Sequence, residues 1–173
     1  MNFFIFRGTN RNKCRGFHNL WSFRRNYENK DNLCIVTSAS KKIWDKYPST
    51  GPTKVKEVYI GPLSQKCQIY AEKNFSGSWC ILSAKHGFLF PEDIVEKNYN
   101  ISFNNNMNCV QIDSLIEEAK ERGLNNYNNF TVLGGKNYEN VVKNVFNGKM
   151  VENPLKGCKG IGMMLKKLNE LNE

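Results

Sequence analysis

Short apolar runs, each followed by a polar segment, divide this chain into predicted strands. The clearest are LCIVT at 33–37, WCILS at 79–83 and FTVL at 130–133. Their length and their β-branched and apolar residues are typical of buried strands. Residues 150–151 are predicted to add a short edge strand. The segment 47–56 holds two prolines and a glycine and is predicted to be a loop.

Apolar residues at helical spacing predict four helices. They cover about 64–74, about 109–122, a segment through 141–146 and about 161–171. The last helix is expected to be a core helix that buries Ile161, Met164, Leu165, Leu168 and Leu171. The first thirty residues show no clean period, and only a short strand at 2–6 and a helix near 18–27 are predicted there.

Strands and helices alternate from residue 33 onward, which indicates an α/β fold. We expect a three-layer single domain over 32–173, with a mostly parallel central sheet flanked by helices. Residues 1–31 form a basic, aromatic N-terminal extension. The three clearest strands run into the polar segments SASKK, SAKHG and GGKN. In a parallel sheet these strand ends meet at one edge, where α/β proteins place their chemistry.

Charge is distributed unevenly along the chain. The formal net charge is +9, and residues 1–46 hold ten Lys or Arg against three Asp or Glu. Cations such as Arg24 and Arg25 alternate with aromatic residues, as phosphate contacts and base stacking require. The sequence therefore favours a nucleic-acid partner, DNA over RNA. The alternative is a solvated arm whose aromatic residues cover part of the core.

Several classes of protein are disfavoured by the sequence. It has no apolar run of eighteen residues and no secretory signal pattern, so we expect no membrane association and a cytoplasmic protein. The six cysteines contain no CxxC pair, so no metal site and no cofactor are expected. Cys34 and Cys80 lie inside predicted strands and are interpreted as reduced core residues.

Candidate chemistry concentrates in the SAKHG segment and the residues after it. His86 and Lys85 are the candidate catalytic residues, with Asp93 or Glu96 as the acidic partner. Candidate binding residues are Ser38, Ser40, Lys41, Tyr59, Ser83, Phe88, Tyr99, Gly134, Gly135, Lys136, Arg24 and Arg25. The hydroxyls and lysines suit phosphate, and the aromatic rings suit stacking. A tight turn, a solvated loop and a plain strand–helix connection are the structural alternatives for these segments.

A family resemblance adds to this reading. The segments VTSASKKIW, YIGPL, ILSAKHGFLFPEDIVEKNYNISF, VLGGKNY and NPLKGCKGIGMMLKKL resemble a family of small bacterial and phage domains of unknown function. The family's hallmark is S-A-K-Y-G-L-L-x-P followed by a tyrosine. Ser83, Lys85, Gly87, Pro91 and Tyr99 keep this pattern, while His86 and Phe88 depart from it.

The resemblance covers about 33–171 and extends, more distantly, to the YaaA peroxide-stress proteins and to a domain of archaeosine synthase. This resemblance implies activity on modified or damaged nucleic-acid bases. It also implies a cysteine in the first motif, where this chain has Ala39, so no thiol nucleophile is expected there.

Three functions are therefore weighed. The first is a glycosylase-like hydrolase that removes a modified or damaged base from DNA or RNA, in DNA repair or base modification. The second is a non-catalytic nucleic-acid-binding module in stress response or defence. The third is a hydrolase of small nucleotides or nucleosides, which would leave the basic extension without a role.

Overall fold

The computed structural model describes residues 31–103 and 108–173. The predicted strand at 2–6, the helix near 18–27 and the residues Arg24 and Arg25 lie outside this described part. The strands are β1 (Asn32–Thr37), β2 (Thr53–Lys54), β3 (Trp79–Ser83), β4 (Gly87–Leu89), β5 (Ile94–Val95), β6 (Asn129–Leu133) and β7 (Met150–Glu152). The helices are α1 (Ile43–Lys46), α2 (Val55–Val58), α3 (Pro62–Phe75), α4 (Ile112–Glu121), α5 (Lys136–Val145) and α6 (Ile161–Asn172), with a 3₁₀ turn at Leu124–Asn126.

The central sheet has five strands in the order β4-β3-β1-β6-β7. β1 lies in the middle and pairs in parallel with β3 on one side and β6 on the other. β7 is also parallel to β6, and only β4 runs antiparallel to its neighbour. The predicted, mostly parallel sheet is confirmed, including the edge strand near residue 150.

Side chains of β1 alternate between two apolar layers, as the pleat of a strand requires. Cys34 and Val36 face one core with α3 and α6, whereas Leu33 and Ile35 face a second core with α4 and α5. All four side chains are fully buried. Each fully buried aliphatic side chain of this kind contributes roughly 1.5–3 kcal/mol. The sheet is therefore covered on both faces, and the three-layer prediction is confirmed.

Two predictions at the margins of the fold are corrected by the structure. The segment predicted as a loop at 47–56 contains β2 and the start of α2, and β2 pairs antiparallel with β5. α6 buries only Leu168, while Ile161 is 63% exposed. The helix packs chiefly against one neighbour, α3, so a single narrow stripe of it is covered. Within the described ranges, none of the helices has the length and apolar character that a membrane crossing requires.

β4 is held in place by a carboxylate that comes from α4. The amide of Phe88 donates to both oxygens of Glu118, at 3.2 and 3.1 Å. Glu118 also pairs with Arg122, whose guanidinium reaches Asp93 at 3.0 Å. Gly87 makes this approach possible: its φ is +73°, and an added Cβ would overlap the Glu118 carboxylate. Burial is the main cause that raises the pKa of Glu118.

Replacing Gly87 by alanine should therefore destabilise the domain by more than the strain of placing alanine at a positive φ. Gly77 is the matched control, because its φ is +77° and no atom lies within 4 Å of an added Cβ. Gly77→Ala should cost about 1–2 kcal/mol from the left-handed conformation. Gly87→Ala should cost about 3 kcal/mol, because Glu118 must also leave the Phe88 amide. Urea unfolding measures both; equal losses would contradict the role given to Glu118.

Candidate active site

The ends of the parallel strands meet at one edge of the sheet, as expected. The amide of Ser38, just after β1, donates to the carbonyl of Leu82 in β3 at 3.3 Å. The Ser38 hydroxyl is 3.0 Å from the hydroxyl of Tyr138 in α5. On the other side, an added Cβ at Gly134 would lie 3.1 Å from the Cβ of Thr37. The loops after β1, β3 and β6 therefore form one continuous wall.

Tyr99 joins this edge to the rest of the domain through its hydroxyl. The hydroxyl lies 2.8 Å from Ser83 Oγ and 2.5 Å from the hydroxyl of Tyr59. Ser83 is fully buried and Tyr59 is 1% exposed. Burial is the largest cause that raises the pKa of both phenols, so both are neutral near pH 7.

Ser83 also shapes the SAKHG loop. Its Oγ accepts the backbone amides of Lys85 at 3.2 Å and of His86 at 3.1 Å. With two amides donated to it, Ser83 is left to donate its own proton to Tyr99. The serine of the motif thus has a structural function: it fixes the turn after β3 on which Lys85 and His86 lie.

Three cationic or titratable side chains surround the ring of Tyr99. The amine of Lys42 lies 4.3 Å from the ring centroid and that of Lys85 lies 5.2 Å from it. The imidazole of His86 meets the ring edge-on, with the two centroids 4.9 Å apart. Partial burial, followed by the charge of Lys85, lowers the pKa of His86 below its ordinary 6.5. His86 is therefore neutral at pH 7 and presents one N–H donor and one nitrogen acceptor.

Lys42 is a site residue that the sequence analysis missed. Its side chain is buried, with 2% exposed, and its amine donates to the carbonyl of Ser40 at 2.9 Å. The backbone at Lys42 is extended and forms an isolated antiparallel bridge with Tyr59. In extended backbone, neighbouring side chains point to opposite sides, so Lys41 is exposed while Lys42 turns inward. The sequence signal that could have identified Lys42 is the pair of adjacent lysines that follows β1.

A polar cleft of about 570 Å³ lies beside Tyr99. Its lining residues are Ser40, Lys41, Asp45, Asn98, Tyr99 and Asn100. Asp45, also missed from the sequence, is the only acid in this lining. Its carboxylate accepts the amide of Lys42 and the side-chain amide of Asn98, both at 2.7 Å. These bonds, the Lys42 amide first, lower the pKa of Asp45, which is therefore ionised throughout the neutral range.

Several predicted site residues lie elsewhere. Phe88 is fully buried against Phe146 in the second core, so its ring has no face open to a base. The ring of Tyr59 is likewise buried, and only its hydroxyl reaches the site. Asp93 accepts the amide of Phe90 at 2.9 Å and pairs with Arg122. Both contacts of this carboxylate are structural. Glu96 is exposed and does not line the cleft.

The glycine pair after β6 closes the wall without lining the cleft. Gly134 is buried, and its carbonyl accepts the side-chain amide of Asn153 at 3.1 Å. The same amide donates to Glu139 at 3.0 Å, which ties the loop after β7 to this corner. Gly135 precedes α5 and Lys136 begins it, exposed. Anion binding by Gly134, Gly135 and Lys136 stays a prediction.

The titration of His86 can be measured directly. Burial and the Lys85 charge both disfavour the imidazolium, so the pKa of His86 should lie below 6.5. Lys85→Ala removes one cause and should raise this pKa toward 6.5. Proton–carbon NMR against pH, with His86→Ala to assign the signal, gives both values. Lys149→Ala, before β7 at the opposite edge, should leave the pKa unchanged; a fall in Lys85→Ala would contradict the account.

Removing the hydroxyl of Tyr99 should weaken the whole domain. Tyr99→Phe leaves the buried hydroxyl of Tyr59 without its partner and deprives Ser83 of an acceptor. We expect a loss of about 1–3 kcal/mol in the free energy of unfolding, measured in urea. Tyr47→Phe is the control, since Tyr47 is 50% exposed and should change stability little. Equal stability of Tyr99→Phe and wild type would show that the hydroxyl contacts are unimportant.

A family model and a bacterial protein match this chain. Residues 35–170 match the model of a family described as "Family of unknown function (DUF6884)". The chain is 40% identical over 143 residues to the "Uncharacterized protein YfjM" of Bacillus subtilis (strain 168), an alignment that covers 82% of this chain and 95% of that protein. No solved structure matches the chain. The expected membership of a family of unknown function is thereby confirmed: this chain belongs to DUF6884.

Proposed function

We propose that this protein is an enzyme that processes bases in nucleic acid, and that it hydrolyses the N-glycosidic bond of a modified or damaged base in DNA. The observation that supports this most is the surroundings of Tyr99. A neutral imidazole, two amines and two hydroxyls meet at one aromatic ring, beside a polar cleft. A binding surface alone has no need of a buried lysine or of coupled phenols.

Groups in and beside the cleft suit base removal. His86, which lies at the edge of the Tyr99 ring, would donate its N–H to a nitrogen or carbonyl of the base, and the exposed part of Tyr99 provides aromatic surface. Asp45, ionised in the cleft lining, steadies the positive charge that develops on the sugar. The C1′–N bond breaks with its electron pair going to the base, water adds its oxygen to C1′, and a water proton ends on the departing base.

Lysines around the cleft support a nucleic-acid substrate over a neutral one. Lys41 lines the cleft and is exposed, and Lys85 lies at the ring of Tyr99. Amines at these positions suit the phosphates that flank a base. Arg24 and Arg25 are further candidate contacts to phosphate. As part of the same proposal, we relate the SAKHG segment to the YaaA proteins and to archaeosine synthase. We also place the activity in the cytoplasm, where a DNA substrate is found.

The test is a screen for released bases. Single- and double-stranded oligonucleotides that carry normal, oxidised, deaminated and 7-deaza bases are incubated with the protein, and free bases are measured by mass spectrometry. Wild type should release one class of base. His86→Ala should lose this activity and keep most of its binding, because the imidazole acts on the base rather than on phosphate. Lys149→Ala, at the far edge of the sheet, should act as wild type.

Two other outcomes would replace the proposal. Salt-sensitive binding without released base, weakened by Arg24→Ala with Arg25→Ala and unchanged in His86→Ala, would indicate a non-catalytic binding module. Hydrolysis of free nucleosides or nucleotides, at a rate unaffected by deletion of residues 1–31, would indicate a small-molecule hydrolase. Either result would contradict action on bases in DNA.

A further inference from the structure

Lys42 is a buried amine that has no carboxylate in ion-pair contact. Its side chain is 2% exposed, and its amine donates a hydrogen bond to the backbone carbonyl of Ser40. No Asp or Glu in the described ranges forms an ion pair with it. Burial disfavours an ammonium, and the charge of Asp45, which accepts the backbone amide of Lys42, offsets this only in part. A merely structural lysine would be expected to have found a carboxylate or to extend into solvent.

The environment of this amine disfavours its charged form. Burial is the first cause that lowers the pKa of Lys42, and the nearby charge of Asp45 opposes it only in part. The amine is fixed between the carbonyl of Ser40, which belongs to the cleft lining, and the ring of Tyr99. Ser40 and Tyr99 both line the cleft, so the amine lies directly behind this lining. Amines whose pKa is lowered by burial are the ones that form Schiff bases with carbonyl substrates.

We propose that Lys42 is a nucleophile that forms an imine with the aldehyde of an abasic site in nucleic acid. The choice of substrate rests on the proposed function, because hydrolysis of an N-glycosidic bond leaves a sugar whose ring opens to an aldehyde at C1′. The product of the first reaction is then held in the same cleft as the amine that captures it.

The reaction balances without any added reagent. The lone pair of the neutral amine forms a bond to C1′, and the carbonyl electron pair moves to oxygen, which takes up a proton. The nitrogen loses its protons as the oxygen departs as water, and a C=N bond remains. Hydrolysis reverses the same steps and frees the lysine.

The experiment traps the imine chemically. Full-length protein is mixed with an oligonucleotide that carries a preformed abasic site, and borohydride is added to reduce the C=N bond to a stable amine. A covalent protein–DNA species should form in wild type, and peptide mass spectrometry should map the adduct to Lys42. It should be lost in Lys42→Met, which keeps the apolar stem. It should also be lost in Lys42→Arg, which keeps the charge, and retained in Lys149→Ala, at the far edge of the sheet.

The controls separate loss of chemistry from loss of fold. Thermal melts show which Lys42 variant is folded, and the folded one decides the result. An adduct that maps to another amine, or that persists in Lys42→Met or Lys42→Arg, would overturn the proposal. Release of a base without any trapped adduct would also overturn it while leaving the proposed function intact. An adduct at Lys42 without release of any base would support the imine and contradict the hydrolase.

Discussion

The phenol of Tyr99 is the contact through which the cleft is joined to the sheet. It bonds to Ser83 at the end of β3 and to Tyr59 between α2 and α3, segments that no backbone pairing connects at this point. Ser83 in turn sets the course of the next loop through two backbone amides. One small group of buried hydroxyls therefore fixes the positions of His86, Lys85 and the cleft wall together. Buried hydroxyl networks of this kind are costly when incomplete, so they tolerate few arrangements.

Much of the fold could be predicted because its strands carry their own local signal. β1, β3 and β6 are short β-branched or apolar runs that are visible without any partner. β4 was missed because it is three residues long and begins at a glycine. It pairs antiparallel with β3 across a tight turn, and the carboxylate of Glu118, thirty residues further along the chain, accepts the amide of Phe88. So short a strand has little signature of its own in the sequence.

The candidate site was predicted in part, and the errors share a physical cause. Ser83, Lys85 and His86 were grouped correctly with the strand end because they follow it directly in the chain. Phe88 was placed in the site by its chemistry, but the pleat of β4 turns it into the core. Lys42 was passed over because the direction of its side chain is set by the bridge to Tyr59. Side-chain direction in short extended segments is decided by tertiary pairing.

The bond between Ser38 and Tyr138 joins residues one hundred positions apart, and it closes one wall of the edge where the site lies. Contacts of such long sequence separation form late, since the loop between them must close first. During synthesis, β1 and β3 leave the ribosome well before α5 and β6, the parallel neighbour of β1, have been made. The central strand is then unpaired on one side. The same connectivity that brings the candidate site residues to one edge of the sheet therefore leaves the apolar strand β1 without one neighbour until β6 has been synthesised. During that time, chaperone binding or aggregation competes with folding.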